Sequence, residues 1–311
     1  MFVLSSFQQL SQFHKPIAWA IGVFDGLHLG HQAVIESAGR SALENQALCG
    51  VLTFDKHPLS LVRPEAAPTR ILGEAEKWET LEALGVDLVL NLPFDQELAE
   101  LSPERFFELL CDFCSVVSVS VGQDWHFGKN RAGNITTLAD YGKRWDFDVH
   151  IVAPVMIDGL RVSSTSIRQA LSEGDVNEAQ RLLGRDIILT GEIIKGRQLA
   201  RQLDFPTANM AVPANMPLSH GVYVVQALVD DEWKGGVANL GVRPTVEKGA
   251  APVLLETHLF DFDDDLYGSV LAVKLLAKLR GEKTFESIDA LGQQLHLDAK
   301  EAKEWLVRHK K

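Results

Sequence analysis

Cysteine is scarce in this chain, with only Cys49, Cys111 and Cys114 in 311 residues. An odd and small number excludes a disulfide framework and points to a reducing compartment. Long hydrophobic runs are missing too, since no apolar stretch approaches the roughly 20 residues of a membrane span. The opening MFVLSSFQQLSQFHK has no basic leading segment and no long apolar centre, which argues against a secretory signal. These absences imply a soluble, cytoplasmic protein with no membrane partner. Positive charge is in deficit: 30 Lys and Arg against 42 Asp and Glu leave a net charge of -12. Such a chain repels polyanions and carries no stripe of basic and aromatic residues, so nucleic acid is not an expected partner. No internal repeat or low-complexity linker is visible. Hydrophobic residues at 46% and charged residues at 23% fit folded domains, not disorder.

What is present begins with the ten residues Gly22 to His31, GVFDGLHLGH. Ile17 to Phe24 is an apolar run that reads as a buried strand, and Asp25-Gly26 closes it with turn residues. A helix follows, whose first turn sets His28 and His31 on one side. Unpaired N–H groups and the positive end of the helix dipole make that turn a place for a triphosphate.

The length suits two domains, each with its own core, and the rhythm changes midway. Up to about Gly184, strand-like runs at Ala47 to Phe54, Val86 to Leu92, Val116 to Val121 and Val149 to Ile157 alternate with helical stretches. These helices run from Glu74 to Leu84 and onward from Pro103, with Ser102 as cap. The alternation predicts an α/β, Rossmann-like domain over residues 1–184, with helices on both faces of a parallel sheet and ligands at the strands' carboxyl ends. Polar residues gather at those ends: Asp25 and the histidines, then Asp55, Lys56 and His57, then Gly122, Gln123 and Asp124. In RVSSTSIR, from Arg161 to Arg168, Ser163, Ser164 and Thr165 open a helix and Arg168 lies one turn beyond Ser164. This is either a second anion grip or an ordinary capped surface helix.

From about Asp186 short strand-like runs follow one another without helices: Ile187 to Ile194, Val222 to Val229, Trp233 to Leu240, Val253 to Phe260 and Val270 to Leu279. They predict an antiparallel barrel or sandwich, closed by a helix from Phe285 to about Arg308. Gly191 to Gln198 nearly fits a phosphate loop, but Arg197 and Gln198 replace its lysine and hydroxyl, and the flanking strand is antiparallel; that reading is rejected. In FPTAN, Phe205 to Asn209, the oxygens of Thr207 and Asn209 point to one side of an extended segment, which suits Mg²⁺ carrying nucleotide phosphates. A polar turn is the plainer alternative. Glu256 shares a strand face with His258 and is either solvated or a general base. Cys111-Asp-Phe-Cys114 has redox or half-zinc spacing, yet nothing completes a metal site, and it ends the apolar helical pattern Phe106, Phe107, Leu109, Leu110, Phe113. Asn134-Ile-Thr136 matches a glycosylation sequon that has no meaning without export.

In order and over nearly the whole length, these segments resemble the prokaryotic bifunctional riboflavin kinase/FMN adenylyltransferases, also called FAD synthetases. The carriers are GVFDGLHLGH, TFDKHP from Thr53, VGQDWHFG from Val121, VSSTSIRQAL from Val162 and LLGRDIILTGEIIKGRQLARQLDFPTAN from Leu182. GVYVV from Gly221, GVANLGVRPTV from Gly236, ETHLFDFDDDLYG from Glu256 and LRGEKTF from Leu279 complete them. The resemblance implies a Rossmann-like nucleotidyltransferase domain over residues 1–184, then a riboflavin kinase-like, antiparallel six-stranded β-barrel with a C-terminal helix over residues 185–311. It implies riboflavin, FMN, FAD and ATP as ligands, ATP as co-substrate and Mg²⁺ as cofactor. Glu256 would accept the proton of the riboflavin 5′-hydroxyl while Thr207 and Asn209 hold Mg²⁺ and ATP. The resulting FMN would attack the α-phosphorus of a second ATP, with His28 and His31 stabilising phosphate charge and Ser164, Thr165 and Arg168 gripping the departing pyrophosphate. Ligand contacts are implied also at Gly22, Phe24, Asp25, Gly30, His57, Asp124, Arg161, Gly196 and Arg201. The chain departs from the family pattern at Val23, where asparagine is usual, at Asp55-Lys56, usually Glu-Pro, and at His126, usually arginine. Ala200 and Asp204 replace glycines. Both activities are expected, the kinase with altered nucleotide affinity; a one-activity enzyme and a non-catalytic flavin sensor are the rival readings.

Overall fold

The computed structural model describes residues 1–194, 205–213, 216–242 and 253–309. The chain divides into two compact units, Met1–Ser164 and Thr165–Lys311. In the first, six strands, β1 (Phe2–Leu4), β2 (Ile17–Ile21), β3 (Leu48–Phe54), β4 (Leu88–Leu92), β5 (Val116–Gly122) and β6 (Asp148–Val152), form a parallel sheet in the order β1-β4-β3-β2-β5-β6. The connections carry helices α1 (Leu29–Glu44), α2 (Leu59–Val62), α3 (Glu74–Ala83), α4 (Gln96–Ala99), α5 (Pro103–Phe113) and α6 (Ile135–Trp145).

The central strand shows why both faces are covered. All five residues of β2 are buried. Ile17, Trp19 and Ile21 join an apolar cluster with Phe106, Phe107 and Leu110 of α5, whereas Ala18 and Ala20 face Val34, Ile35 and Ala38 of α1. Small residues on one side let a helix come close; bulky ones fill the other.

Several boundaries depart from the sequence reading. β1 was not legible, because three residues cannot display a period. β2 stops at Ile21, short of Phe24, since the backbone then turns. The run from Val149 splits into β6 and a hairpin of β7 (Met156–Ile157) and β8 (Leu160–Arg161), turned by Asp158 and Gly159 at positive φ. The sequon asparagine serves as a helix cap. Asn134 precedes α6, and its Oδ1 accepts the N–H groups of Thr136 and Thr137 at 2.9 and 3.1 Å. Cys111 and Cys114 end α5, and burial pushes their thiols up to about 11 and about 12, so neither is a reactive thiolate.

The second unit holds α8 (Val176–Leu183), preceded by α7 (Ser164–Glu173), and a closed barrel of β9 (Ile187–Ile194), β10 (Ala208–Val212), β11 (Gly221–Val229), β12 (Glu232–Val242), β13 (Val253–Leu259) and β14 (Val270–Arg280). All described pairings are antiparallel, in the order β10-β13-β12-β11-β14-β9. β10, the strand absent from the apolar runs of the sequence, grows out of the FPTAN segment. The last helix, α9 (Ile288–Arg308), begins three residues later than Phe285 because Ser287 caps it, its Oγ accepting the Ala290 N–H at 3.1 Å. No helix among the described residues is long and apolar enough to cross a membrane.

α9 covers Phe205, Val222, Val224 and Val237 on the outside of the barrel. It is pinned by Arg280 at the end of β14, whose Nε and terminal nitrogen donate to the two oxygens of Asp298 at 2.9 and 2.6 Å. Asp298 is only 2% exposed and also accepts from Gln294 Nε2 at 2.8 Å. Removing one partner leaves a buried charge unmatched. Asp298→Ala is therefore expected to destabilise the second unit by about 3–5 kcal/mol, measured by denaturant unfolding, while Asp289→Ala on the first turn of the same helix costs less than about 1 kcal/mol.

Candidate active site

The first unit's strand order reverses at β2. From β2 the chain passes through α1 to β3 on one side, and later through α5 to β5 on the other. Loops leaving adjacent strands in opposite directions open a crevice at the strands' carboxyl ends. The segment after β2 enters it by a strained path: Gly26 has φ +86°, and Phe24 and Leu27 hold +51° and +44° although neither is glycine. Full burial of both side chains offsets that cost.

The result is His28 as the N-cap of α1, its Nδ1 accepting the His31 N–H at 3.2 Å. The two imidazoles stack with centroids 3.6 Å apart and planes 16° from parallel, and Phe24 meets His31 edge-on at 5.3 Å. Gly30 permits this stack, because a Cβ there would sit 3.1 Å from His28 Cε1. His31 Nδ1 is buried without a hydrogen-bond partner. Burial, then the charges of His28 and Lys77, hold His31 well below its ordinary 6.5, so the imidazole is neutral at pH 7.

Around this pair the other predicted residues separate into groups. Asp25 Oδ1 accepts the Ile71 N–H at 3.0 Å, and its carbonyl accepts from Ser164 Oγ at 2.9 Å. Gly22 N–H joins β3 through the Leu52 carbonyl at 3.1 Å. Asp124 and Arg161 form an ion pair. Phe24, Asp25 and His57 line one small cavity, and His57 Nδ1 accepts the Leu59 N–H at 3.1 Å. Thr165 and Arg168 lie on α7, exposed and half-buried respectively.

In the second unit Glu256 is in register with Asn209 of β10 and Asn239 of β12. Cross-strand partners point to the same side, so three polar side chains form a row across three strands. Leu255, Thr257 and Leu259, the alternate set, are buried. Asn209 Nδ2 lies 3.2 Å from the Thr207 carbonyl and 3.5 Å from its Oγ1. Phe205 stacks on His258 at 3.7 Å, and His258 Nδ1 donates to the Pro206 carbonyl at 2.9 Å, which fixes the FPTAN segment beside Glu256's strand. Thr207 and Asn209 border a cavity of about 500 Å³ with Asp263, Asp265 and Tyr267. Gly196 and Arg201, with Ala200 and Asp204, lie outside the described residues.

Residues 10–166 match a family model described as FAD synthetase, and residues 183–306 one described as riboflavin kinase. The bifunctional riboflavin kinase/FMN adenylyltransferase of Pseudomonas fluorescens is 40% identical over 291 residues, 93% of each chain. The Escherichia coli protein of the same name is 36% identical over 287 residues, 92% of this chain and 91% of the other. The chain belongs to the bifunctional riboflavin kinase/FMN adenylyltransferase family. A solved structure from Streptococcus pneumoniae, titled a macrolide-efflux protein, has the same fold, with a TM-score of 0.85 at 28% identity, covering 100% of this chain and 99% of that one.

Within this family frame, sequence reasoning overlooked Lys77, Thr53 and Asn91 of the first unit and Asn239 of the second. Lys77 left a trace: it stands one helical turn before the fully buried Leu81, so the period of α3 puts a lysine on a core-facing position. Thr53, Asn91 and Asn239 lie inside strands, where a single polar residue carries no signal of its own.

The neutral state of His31 has a consequence for stability. The unfolded chain protonates this histidine near 6.5, whereas the folded unit does not, so the unfolded state binds more protons below that pH. Stability of the first unit is expected to fall as pH drops through about 6.5, and His31→Gln to remove that part of the fall, as followed by thermal unfolding between about pH 7.5 and about pH 5.5.

Proposed function

We propose that the barrel module, residues 185–311, phosphorylates riboflavin to FMN, and that the sheet module, residues 1–184, adenylylates FMN to FAD, each with ATP. The observation that carries the first-module reading is the stacked His28–His31 pair at the N-terminus of α1, placed where the strand order reverses. The positive end of α1 and two imidazoles are matched to phosphate oxygens. There an oxygen of the FMN phosphate attacks the α-phosphorus of ATP, the bond from that phosphorus to the bridging oxygen breaks, and pyrophosphate leaves. The His28 and His31 rings stabilise the charge that develops on the phosphates. Ser164, Thr165 and Arg168 hold the leaving side, and Asp124, Arg161, Gly22, Phe24, Asp25, Gly30 and His57 shape the nucleotide and flavin contacts.

In the barrel, Glu256 takes the proton of the riboflavin 5′-hydroxyl as that oxygen attacks the γ-phosphorus, and ADP leaves. Its place in the row with Asn209 and Asn239 supports this assignment. Thr207 and Asn209 supply two neutral oxygen donors, and among the described residues no cluster of His, Cys, Asp and Glu could hold a metal alone. Such a donor set fits Mg²⁺, which keeps water and phosphate oxygens in its shell. When bound, Mg²⁺ neutralises phosphate charge; Thr207, Asn209 and the His258 brace orient the nucleotide. The setting is the cytoplasm, where ATP is supplied.

Purified protein with ATP and Mg²⁺ is expected to convert riboflavin to FMN and FAD, and FMN to FAD, resolved by chromatography. Glu256→Gln should cut riboflavin phosphorylation by at least about a hundredfold and leave FAD formation from FMN intact, while Gly30→Ala, which disturbs the histidine stack, should do the reverse. Absence of both products overturns the reading.

A further inference from the structure

Lys77 of α3 reaches under the turn that follows β2. Its ammonium donates to the Val23 carbonyl at 3.2 Å and to Thr53 Oγ1 at 2.9 Å. Thr53 is itself fully buried, and its hydroxyl donates to the same Val23 carbonyl at 2.9 Å. Both acceptors of the lysine are neutral, and among the described residues no carboxylate forms an ion pair with it. An ammonium has three protons, and this one uses two.

The lysine is dispensable for the hydrogen bonds it makes. Without it, the Val23 carbonyl keeps the Thr53 hydroxyl, and that hydroxyl keeps the carbonyl, so no buried polar atom is orphaned. Besides these bonds the ammonium has the Trp78 ring, its centroid 5.6 Å away, but no carboxylate in contact, and burial of a charge without an ion-pair partner is costly. The same cost is visible in its proton affinity: burial, opposed by Asp25 and Glu74 and reinforced by Arg70, lowers Lys77 to about 8. His31, on α1, feels the lysine's charge from the other side.

Lys77 also lines the small cavity at the carboxyl ends of β2, β3 and β4, together with Phe24, Asp25, His57 and Asn91. Asn91 Oδ1 is buried there without a hydrogen-bond partner. A cation with a donor to spare and an amide oxygen with none thus share one cavity, on the opposite side of β2 from β5, whose end carries Asp124. Resting on the adenylyl-transfer reading above, we propose that Lys77 is a substrate-binding residue whose ammonium pairs with a phosphate oxygen of the attacking flavin nucleotide, FMN. The pairing completes the lysine's hydrogen bonds, supplies an anionic oxygen in direct contact, which Asp25 and Glu74 do not, and fixes the nucleophile next to the His28–His31 stack.

The test compares Lys77→Met, which keeps the stem and removes the charge, with Lys77→Arg, which keeps the charge. Lys77→Met is expected to lower kcat/KM for FMN in FAD formation by about a hundredfold, with the KM for ATP within about twofold of wild type. Lys77→Arg is expected to retain a larger share of activity than Lys77→Met. In the absence of substrates the thermal unfolding temperature of Lys77→Met should equal or exceed that of wild type, because a buried charge with no ion-pair partner has gone. FMN should raise the unfolding temperature of wild type more than that of Lys77→Met. FMN-dependent kinetics within about threefold of wild type, an effect confined to ATP, or a loss of activity accompanied by a lower unfolding temperature each overturn the proposal. Wild-type protein that makes no FAD from FMN overturns the adenylyl-transfer reading itself, and is thereby distinguished from failure of the lysine assignment alone.

Discussion

A parallel strand buried on both faces has no room for polar side chains along its length, and the first unit is arranged around that constraint. β2 spends all five residues on packing, bulky against α5 and small against α1. Chemistry is thereby displaced to the few residues beyond Ile21. There the chain must reverse direction within the seven residues 22–28 to start α1, and it does so with positive φ at Phe24, Gly26 and Leu27. The buried Phe24 and Leu27 side chains hold the strained turn in place, and Phe24 then serves as the edge contact for His31. Packing, strain and the position of the histidines are consequences of one another.

The barrel meets the same demand differently. Its closed interior takes one set of alternating side chains, Leu255, Thr257 and Leu259 along β13, and the complementary set is left to the outside. Glu256 and His258 fall in that outer set, one in the row with Asn209 and Asn239, the other against Phe205 and Pro206. A single strand thus carries both the carboxylate of that polar row and the brace for the segment leading into the neighbouring β10.

Much of this arrangement was legible in the sequence where a period or a cap wrote it down. The alternation of β-branched runs with helical stretches disclosed the parallel sheet, Ser102 marked the start of α5, and the spacing of His28 and His31 placed both rings on one turn. Glu256 and His258 could be put on a shared face by counting in twos. The losses also have physical causes. Three residues of β1 are too few for a pattern, and β10 was hidden because FPTAN begins as a loop and becomes a strand only after Thr207. Positive φ at Phe24 and Leu27 is a tertiary outcome that neither residue type favours. The Thr53–Val23–Lys77 network joins positions up to 54 apart in the chain, a distance over which no local rule operates.

The closed barrel has a further consequence, for assembly. Each of its strands is paired on both sides, so the second unit presents no row of unsatisfied backbone groups among its described strands to which another chain could add. The six-stranded sheet of the first unit does have two such borders, β1 and β6, and the β7–β8 hairpin adds only two-residue edges. β1 is only three residues long, and β6 interrupts its apolar residues with Asp148 and His150, two features that discourage strand addition at high protein concentration. Resistance to edge-to-edge aggregation is therefore topological in one half of the chain and compositional in the other.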